Sequence, residues 1–564
     1  MIYYIAPNGS DDFSGTEEKP FRTLSKALEV ERKDSGKRTI VLKAGRYENV
    51  SIALDSRDSG LEIRADGHAV LCGGERISGW KNCGDGLYCA DLPSGRSADI
   101  RLLAANGRMC DRARYPLEGY LATASKFDSI WDVGWDVPPT EEQRTTLEYK
   151  PGDIPDDFDW QNAEVMVFHR WDESLVGIKG HEKEKRLFRF SSQLTFPAGS
   201  FDVDSYLIWN TEQGMKPGAW RVDKMQGKLY YMPLEGQRID ETEFHVPLHN
   251  SVISITGDVS NLTIDGVSFM VTDAPLGSGG FGALRVTAAI NCTANLNNCF
   301  FKNLSFSALS GWGIKLAGVN NGVTIEGCDV KDTGAGGLSL TRGSRNGDGN
   351  SECLIRRNTV TRIGRIFFSA VGICGTSCNV IDNELSDLPY NGISCSGGGI
   401  LIQGNIITGA MRTLRDGGGI YVGNSKGGRM TGNTVSDVTQ EPGPDMQRHG
   451  LYLDKDCDEW VMSENLTIDC PSAMLSHMSK SNVICDNIFV NRRGQVMLLT
   501  IRCEDHTFER NTVHASEEIS FITNDGAITK LKDNLLYSAN GRLERVLVDN
   551  KTYARSLPMP LEIQ

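Results

Sequence analysis

One short phrase, repeated through the second half of the chain, limits the folds open to it. It consists of an apolar residue, two variable positions, an asparagine and then an alternating apolar run. The asparagines are Asn358, Asn383, Asn405, Asn433, Asn465, Asn487, Asn511 and Asn534, at spacings of 25, 22, 28, 32, 22, 24 and 23 residues. Earlier turns carry Cys328, Cys299 or Gly266 in the asparagine's place. Each repeat holds short β-type runs of period two bounded by Gly, Asn or Asp, with no helical periodicity. A period near 23 residues with about three strands is one coil of a parallel β-helix. Asparagine suits such a repeat because it tolerates a left-handed turn and its amide can bond to the same residue in the next coil. A leucine-rich solenoid would need a Leu frame that is absent.

A second ladder runs beside the first. Gly337-Leu338-Ser339-Leu340, Gly392-Ile393-Ser394-Cys395, Gly419-Ile420-Tyr421-Val422 and Gly450-Leu451-Tyr452-Leu453 read as one strand seen in successive coils. Alternation points Ile420, Val422, Leu451 and Leu453 inward and Tyr421 and Tyr452 outward, into a long groove suited to extended ligands. These turns account for the glycine excess, 61 of 564 residues, against about 7% in average usage.

The charge balance excludes several functions. With 59 Lys plus Arg against 73 Asp plus Glu, the net charge is −14, which argues against nucleic acid or an anionic membrane as partner. No run approaches the ~18 apolar residues of a membrane helix. The start, Met1 to Pro7, lacks the basic and apolar regions of a signal peptide. The 15 cysteines are odd in number and contain no C-x-x-C pair, so neither a full disulfide framework nor a thiolate zinc site is expected. Cysteines in strand-like runs, such as Cys299, Cys328, Cys374 and Cys395, read as small reduced hydrophobes. The expected location is cytoplasmic.

The opening Tyr4-Ile5-Ala6-Pro7-Asn8-Gly9-Ser10-Asp11 leads through Pro20-Phe21-Arg22-Thr23-Leu24-Ser25-Lys26-Ala27-Leu28 to Thr39–Tyr47. It reads as a strand, a Gly-rich turn, a short helix able to cover the open solenoid end, and a second strand. This phrase resembles the amino-terminal cap of right-handed β-helix carbohydrate enzymes of the pectate-lyase-like superfamily. Between roughly 95 and 245 the ladder stops, and six of nine tryptophans (Trp131, Trp135, Trp160, Trp171, Trp209 and Trp220) gather there. The stretch reads as an inserted β-rich domain. Its Pro217-Gly218-Ala219-Trp220 and Gly227-Lys228-Leu229-Tyr230-Tyr231-Met232-Pro233 are similar to a segment of β-helix glycosidases, notably glycoside hydrolase families 141 and 120, departing from the commoner Pro-Gly-Glu-Trp at Ala219. The fold class expected is all-β, a right-handed parallel β-helix with an inserted domain. The divisions are 1–95 (cap and first coils), 96–245 (insertion), 246–545 (main β-helix) and 546–564 (tail).

The two long spacings place enlarged loops at Thr408–Arg415 and Thr439–Arg448, and loops on a rigid scaffold are where function concentrates. Around them lie Arg415-Asp416-Gly417-Gly418-Gly419, Glu441, Asp445 and Arg448-His449-Gly450-Leu451-Tyr452-Leu453-Asp454-Lys455-Asp456. Asp454 continues the outward alternation of Tyr452. Asp416 enters the same strand one coil earlier, beside three glycines that permit a sharp bend. Two carboxylates facing one groove equip a chain to break a glycosidic bond, one protonated and one ionised. Proximity separates their pKa values, because like charges resist ionising together.

The glycosidase resemblance implies that Asp416, in its Asp-Gly-Gly-φ-φ-Tyr-like phrase, is catalytic. Asp454 is its expected partner, ahead of Asp456 and then Glu441. Tyr421, Tyr452, Glu441, Arg448 and His449 are candidate substrate contacts, as are His169, Arg170 and Trp171, where a cation beside an aromatic plate suits a sugar. His477 reads equally as a groove or a surface residue. No metal-ligand spacing stands out and no cofactor is expected.

The function expected is hydrolysis of oligosaccharides, at a chain end, with a neutral sugar favoured over a polyuronate by the net charge. Two alternatives stay open. One is a polysaccharide lyase on the same fold, which needs a basic residue and an acidic substrate. The other is a non-catalytic glycan-binding or structural β-helix. Oligomeric state is undetermined.

Overall fold

The computed structural model describes residues 1–34, 36–93, 98–127, 138–341, 349–438, 447–539 and 543–547. It is a parallel β-helix. One face is a 13-stranded parallel sheet from Ile52–Leu54 to Leu543–Leu547, and the other faces join in a 25-stranded system. Inward side chains stack coil upon coil, so that Leu338, Ile373, Ile393, Ile420 and Leu451 align in register within one continuous apolar core. The expected helix forms at Leu24–Glu31, capped by the Thr23 side chain, and buries Leu24, Ala27 and Leu28 against the first coils.

The asparagine ladder is continuous. From Asn358 to Asn511, each backbone N–H and each amide nitrogen donates to the Oδ1 of the asparagine one coil on, at 2.9–3.1 Å. The left-handed conformation belongs to the residue before, for example Arg357, Asp382, Glu464, Asp486, Arg510 and Asp533, and not to the asparagine itself. The amide is buried and serves three partners, whereas its predecessor points outward and makes the corner. Cys328 does hold the asparagine position, since its N–H donates to Asn358 Oδ1 at 2.9 Å. In the two coils before it, sheet register gives that place to Leu304 and Val267, not to Cys299 and Gly266.

Strand pairing ties residues 74–91 to the segment expected as an insertion. Gly74–Ile77 pairs antiparallel with Phe244–Pro247, and Leu87–Asp91 with Lys228–Tyr231. Residues 74–93 therefore pack with the insertion, because their partners lie in its returning strands. At its centre is the hairpin Glu164–Phe168 and Glu173–Glu182. Cys83 and Cys89 are disulfide-bonded across an exposed hairpin; the other thirteen, Cys299, Cys328, Cys374 and Cys395 among them, are free. No helix among the described residues is long and apolar enough to cross a membrane. Trp131, Trp135, Glu441, Asp445 and nearly all of the 546–564 tail lie outside the described residues.

Candidate active site

The strands Gly417–Val422, Arg448–Leu453 and Ser472–His477 are neighbours in one sheet, with Tyr421 opposite Tyr452 and Leu453 opposite Ser476. Their outer side is not the open groove that alternation predicts. Tyr452 is 3% exposed, its ring 5.1 Å from that of Tyr421 and 4.9 Å from that of His449. Phe281 packs 5.8 Å from both Tyr390 and Tyr421. The result is a small, aromatic-walled site.

Asp416 is the strained residue. Its φ is 57°, in the left-handed region, while no left-handed φ occurs in Gly417 to Gly419. The glycines are there for space: a Cβ would lie 2.2 Å from Asn391 Oδ1 at Gly417 and 2.4 Å from Val435 Cγ1 at Gly419. The Asp416 backbone is held at both ends. Its N–H donates to the Gln447 carbonyl at 2.7 Å, and its carbonyl accepts from the Tyr390 hydroxyl at 2.8 Å.

The two aspartates sit in opposed environments. Burial pushes the Asp416 carboxyl up to about 6, and the charge of Asp454 adds to this. Arg170, His477 and the Tyr452 hydroxyl, 3.4 Å from Oδ1, work against that rise. Burial also raises Asp454, but His477 and Tyr421 outweigh it and hold the carboxyl below its ordinary range. His477 Nδ1 is 2.9 Å from one Asp454 oxygen, and the Tyr421 hydroxyl donates to the other at 2.8 Å. The pair thus holds one carboxyl that keeps its proton to a higher pH than the other. Asp454 and His477 are 22% and 25% exposed, so the site opens on their side.

The insertion closes the other side. The hairpin tip His169–Asp172 reaches the Asp416 coil, where the Arg170 carbonyl accepts from the Arg415 N–H at 2.9 Å. Arg170 is the member of the tip whose charge acts on Asp416. His169 is turned inward, 1% exposed, with Nε2 3.1 Å from Ser174 Oγ; burial drives it down to about 3, so it is a neutral packing residue. Trp171 packs on Phe196 and Phe201 at 5.8 and 4.7 Å. Glu173 fastens the hairpin to the coils by accepting from the Ser369 N–H and hydroxyl at 2.7 and 3.1 Å. Beside it Asp172, 2% exposed, is pushed by burial to about 7, which the charge of Arg285 opposes.

The remaining candidates divide. Arg448 is 5% exposed and donates to the carbonyls of Leu414 and Thr413 at 3.1 and 3.0 Å, bracing the loop that delivers Asp416. His449 is buried with Nδ1 2.6 Å from Ser472 Oγ and backs the Tyr452 ring. Asp456 lies in an exposed turn with φ 58°, its N–H donating to the Met478 carbonyl, and is not brought to the pair. Reading the sequence missed Tyr390, Asn391 and Phe281. Tyr390 and Asn391 directly precede Gly392 of the glycine ladder, which was the available signal; nothing marks Phe281. Three groups that could share a metal by proximity, Glu48, Cys72 and His245, lie away from this site, and Arg46 Nη1 already contacts His245 Nε2 at 3.1 Å.

Comparison with known proteins agrees with the architecture. Residues 346–536 match the family model described as a right handed beta helix region. A solved structure named "Glycoside hydrolase" superposes with a TM-score of 0.71, at 21% identity, over 87% of this chain and 97% of that one. A second, "The complex structure of XylC with xylose", gives a TM-score of 0.49 at 14% identity over 95% of this chain and 86% of that one. Among curated proteins, an uncharacterized protein YwoF of Bacillus subtilis (strain 168) is 42% identical over 59 residues, 10% of this chain and 11% of that protein. The match thus spans only a small part of that relative's length. The fold is a right-handed parallel β-helix.

Proposed function

We propose that this protein is a glycoside hydrolase in which Asp416 is the proton donor and Asp454 the ionised partner. The observation that carries the reading is the opposed tuning of two carboxyls that face the same pair of tyrosines: Asp416 pushed up by burial, Asp454 held down by His477 and Tyr421. The likeness to a structure named as a glycoside hydrolase supports it. In the reaction, the Asp416 proton passes to the glycosidic oxygen as the C–O bond breaks. Asp454 either attacks the anomeric carbon or takes a proton from a water that does. Tyr421 and Tyr452 orient the carboxylates, and Phe281 offers a ring face to a sugar. Attack at a chain end is part of this reading, supported by the approach of the hairpin tip to the Asp416 coil and by the packing of Phe281 on Tyr421.

The test is a panel of aryl glycosides and oligosaccharides assayed for new reducing ends and for the ultraviolet absorbance of an unsaturated product. Hydrolysis gives reducing ends alone; an absorbing product would replace this reading with a lyase. Asp416→Asn and Asp454→Asn should each lower kcat about a thousandfold, and intact turnover in either would remove that residue from the mechanism. The configuration of the first-formed sugar, followed by NMR, then separates attack by Asp454 from attack by water.

A further inference from the structure

A cavity of about 250 Å³ lies at the seam between the insertion and the coils, outside the site described above. The two share a wall. Pro389, Arg412 and Thr413 line the cavity, while Tyr390 holds the Asp416 carbonyl and Arg448 holds the carbonyls of Thr413 and Leu414.

The cavity is cationic in a chain that is acidic overall. Seven Lys and Arg side chains line it against two carboxylates, Asp111 and Asp387. Several of these charges are spent in the fold. Arg365 pairs with Asp111 at 2.8 Å, Arg412 with Asp387 at 3.2 Å and Arg362 with Asp332 at 2.8 Å. Behind them, the buried Glu164 serves Arg101, Arg112 and Lys224 together, at 3.2, 2.7 and 2.8 Å, and Asp99 also pairs with Arg101 and Lys224. Two cations are left over. Lys216 forms no ion pair among the described residues. Among the described residues the Arg114 side chain donates only to the carbonyls of Pro116 and Gly119, and it lies over the rings of Tyr120 and Trp209 at 5.5 and 6.0 Å. Burial pushes the Arg114 guanidinium down, more than Tyr120 and Asp111 restore. Trp209, Phe368 and the exposed Leu117 supply apolar lining. An excess of cations beside aromatic faces fits a ring that carries a negative group.

We infer that this cavity is a subsite for an acidic sugar, its carboxylate or sulfate ester held by Arg114 and Lys216 and its ring set against the apolar lining. This rests on the hydrolase reading in one respect: the saccharide cut at Asp416 and Asp454 carries that acidic residue. The net charge of −14, which favours a neutral sugar when read from the sequence, does not describe this surface.

The experiment is calorimetric titration of the full chain, and of Asp416→Asn, with oligouronates, sulfated oligosaccharides and neutral oligosaccharides of equal length. An acidic ligand should bind at least about tenfold more tightly than the neutral one, and the gap should narrow as salt is raised. A response to oligouronates alone assigns the carboxylate, and a response to sulfated sugars alone assigns the ester. Lys216→Gln, at a part-exposed position that does not brace the fold, should weaken acidic ligands about tenfold and leave neutral ones unchanged. Equal binding of acidic and neutral sugars, or no effect of either Lys216→Gln or Arg114→Gln, would overturn the inference. Acidic binding that responds to Lys216→Gln without any hydrolysis would overturn the hydrolase reading and leave the subsite standing. Equal kcat/KM on neutral and acidic saccharides would do the reverse.

Discussion

At the scale of single residues, the site is a study in how burial sets charge. Asp416 is held in a left-handed conformation and its carboxyl is pushed to about 6. Its folded pKa lies above the ordinary 3.8, so the folded chain keeps a proton that the unfolded chain loses. Stability therefore falls as pH rises through that window. Asp416→Asn should lose about a thousandfold in kcat yet be more stable than the parent, by about 3 kcal/mol at about pH 8 and by little below about pH 3.5. Thermal melts across that range check it. The rate should show the same logic as a bell. Activity is lost on the alkaline side as Asp416 ionises near 6, and on the acid side as Asp454 protonates below its ordinary range. His477→Ala removes the contact that holds Asp454 down, so the acid limb of kcat/KM should move up by about one pH unit. An unmoved limb would assign it to another group.

At the scale of elements, the asparagine and glycine ladders are packing devices with different tolerances. Asn433 donates to Ile402, Thr431 and Asn465 while its own Oδ1 accepts from Asn405. Asn433→Ala orphans buried partners on both sides and should cost about 2–4 kcal/mol in denaturant unfolding. Leu304 and Val267 occupy the same register without such cost because the amide ladder begins only with Asn358, whose Oδ1 accepts from the Cys328 backbone N–H. Gly419→Ala brings a methyl to 2.4 Å from Val435 Cγ1, an overpacking worth about 1–3 kcal/mol. Both ladders were legible because a solenoid repeats its constraints in every coil. Conformation was less so: the left-handed corner residue varies among Arg, Asp, Glu and Gly, so only its invariant neighbour was visible.

At the scale of the molecule, the insertion completes the site rather than decorating it. Its hairpin tip meets the Asp416 coil through the Arg170 carbonyl, and the Arg170 charge lowers the Asp416 carboxyl. Arg170→Gln should let Asp416 rise further, moving the alkaline limb of the pH–rate profile upward, with the sugar-binding part of KM changed less; a downward shift would contradict this placement. The sequence by itself determined the solenoid, its register from Cys328 onward and the two adjacent coils that bear Asp416 and Asp454, since these follow from local periodicity and from loop lengths. Only the tertiary structure decided what those residues meet. His477 became the partner of Asp454, His169 and His449 became packing, Asp456 was turned out to solvent, and Tyr390 and Phe281 entered the site. The reason is physical: a period records which way a side chain leaves its own coil, whereas burial, charge and contact depend on what a distant segment lays over it. The insertion is that segment, and its alignment on the coils follows from no repeat.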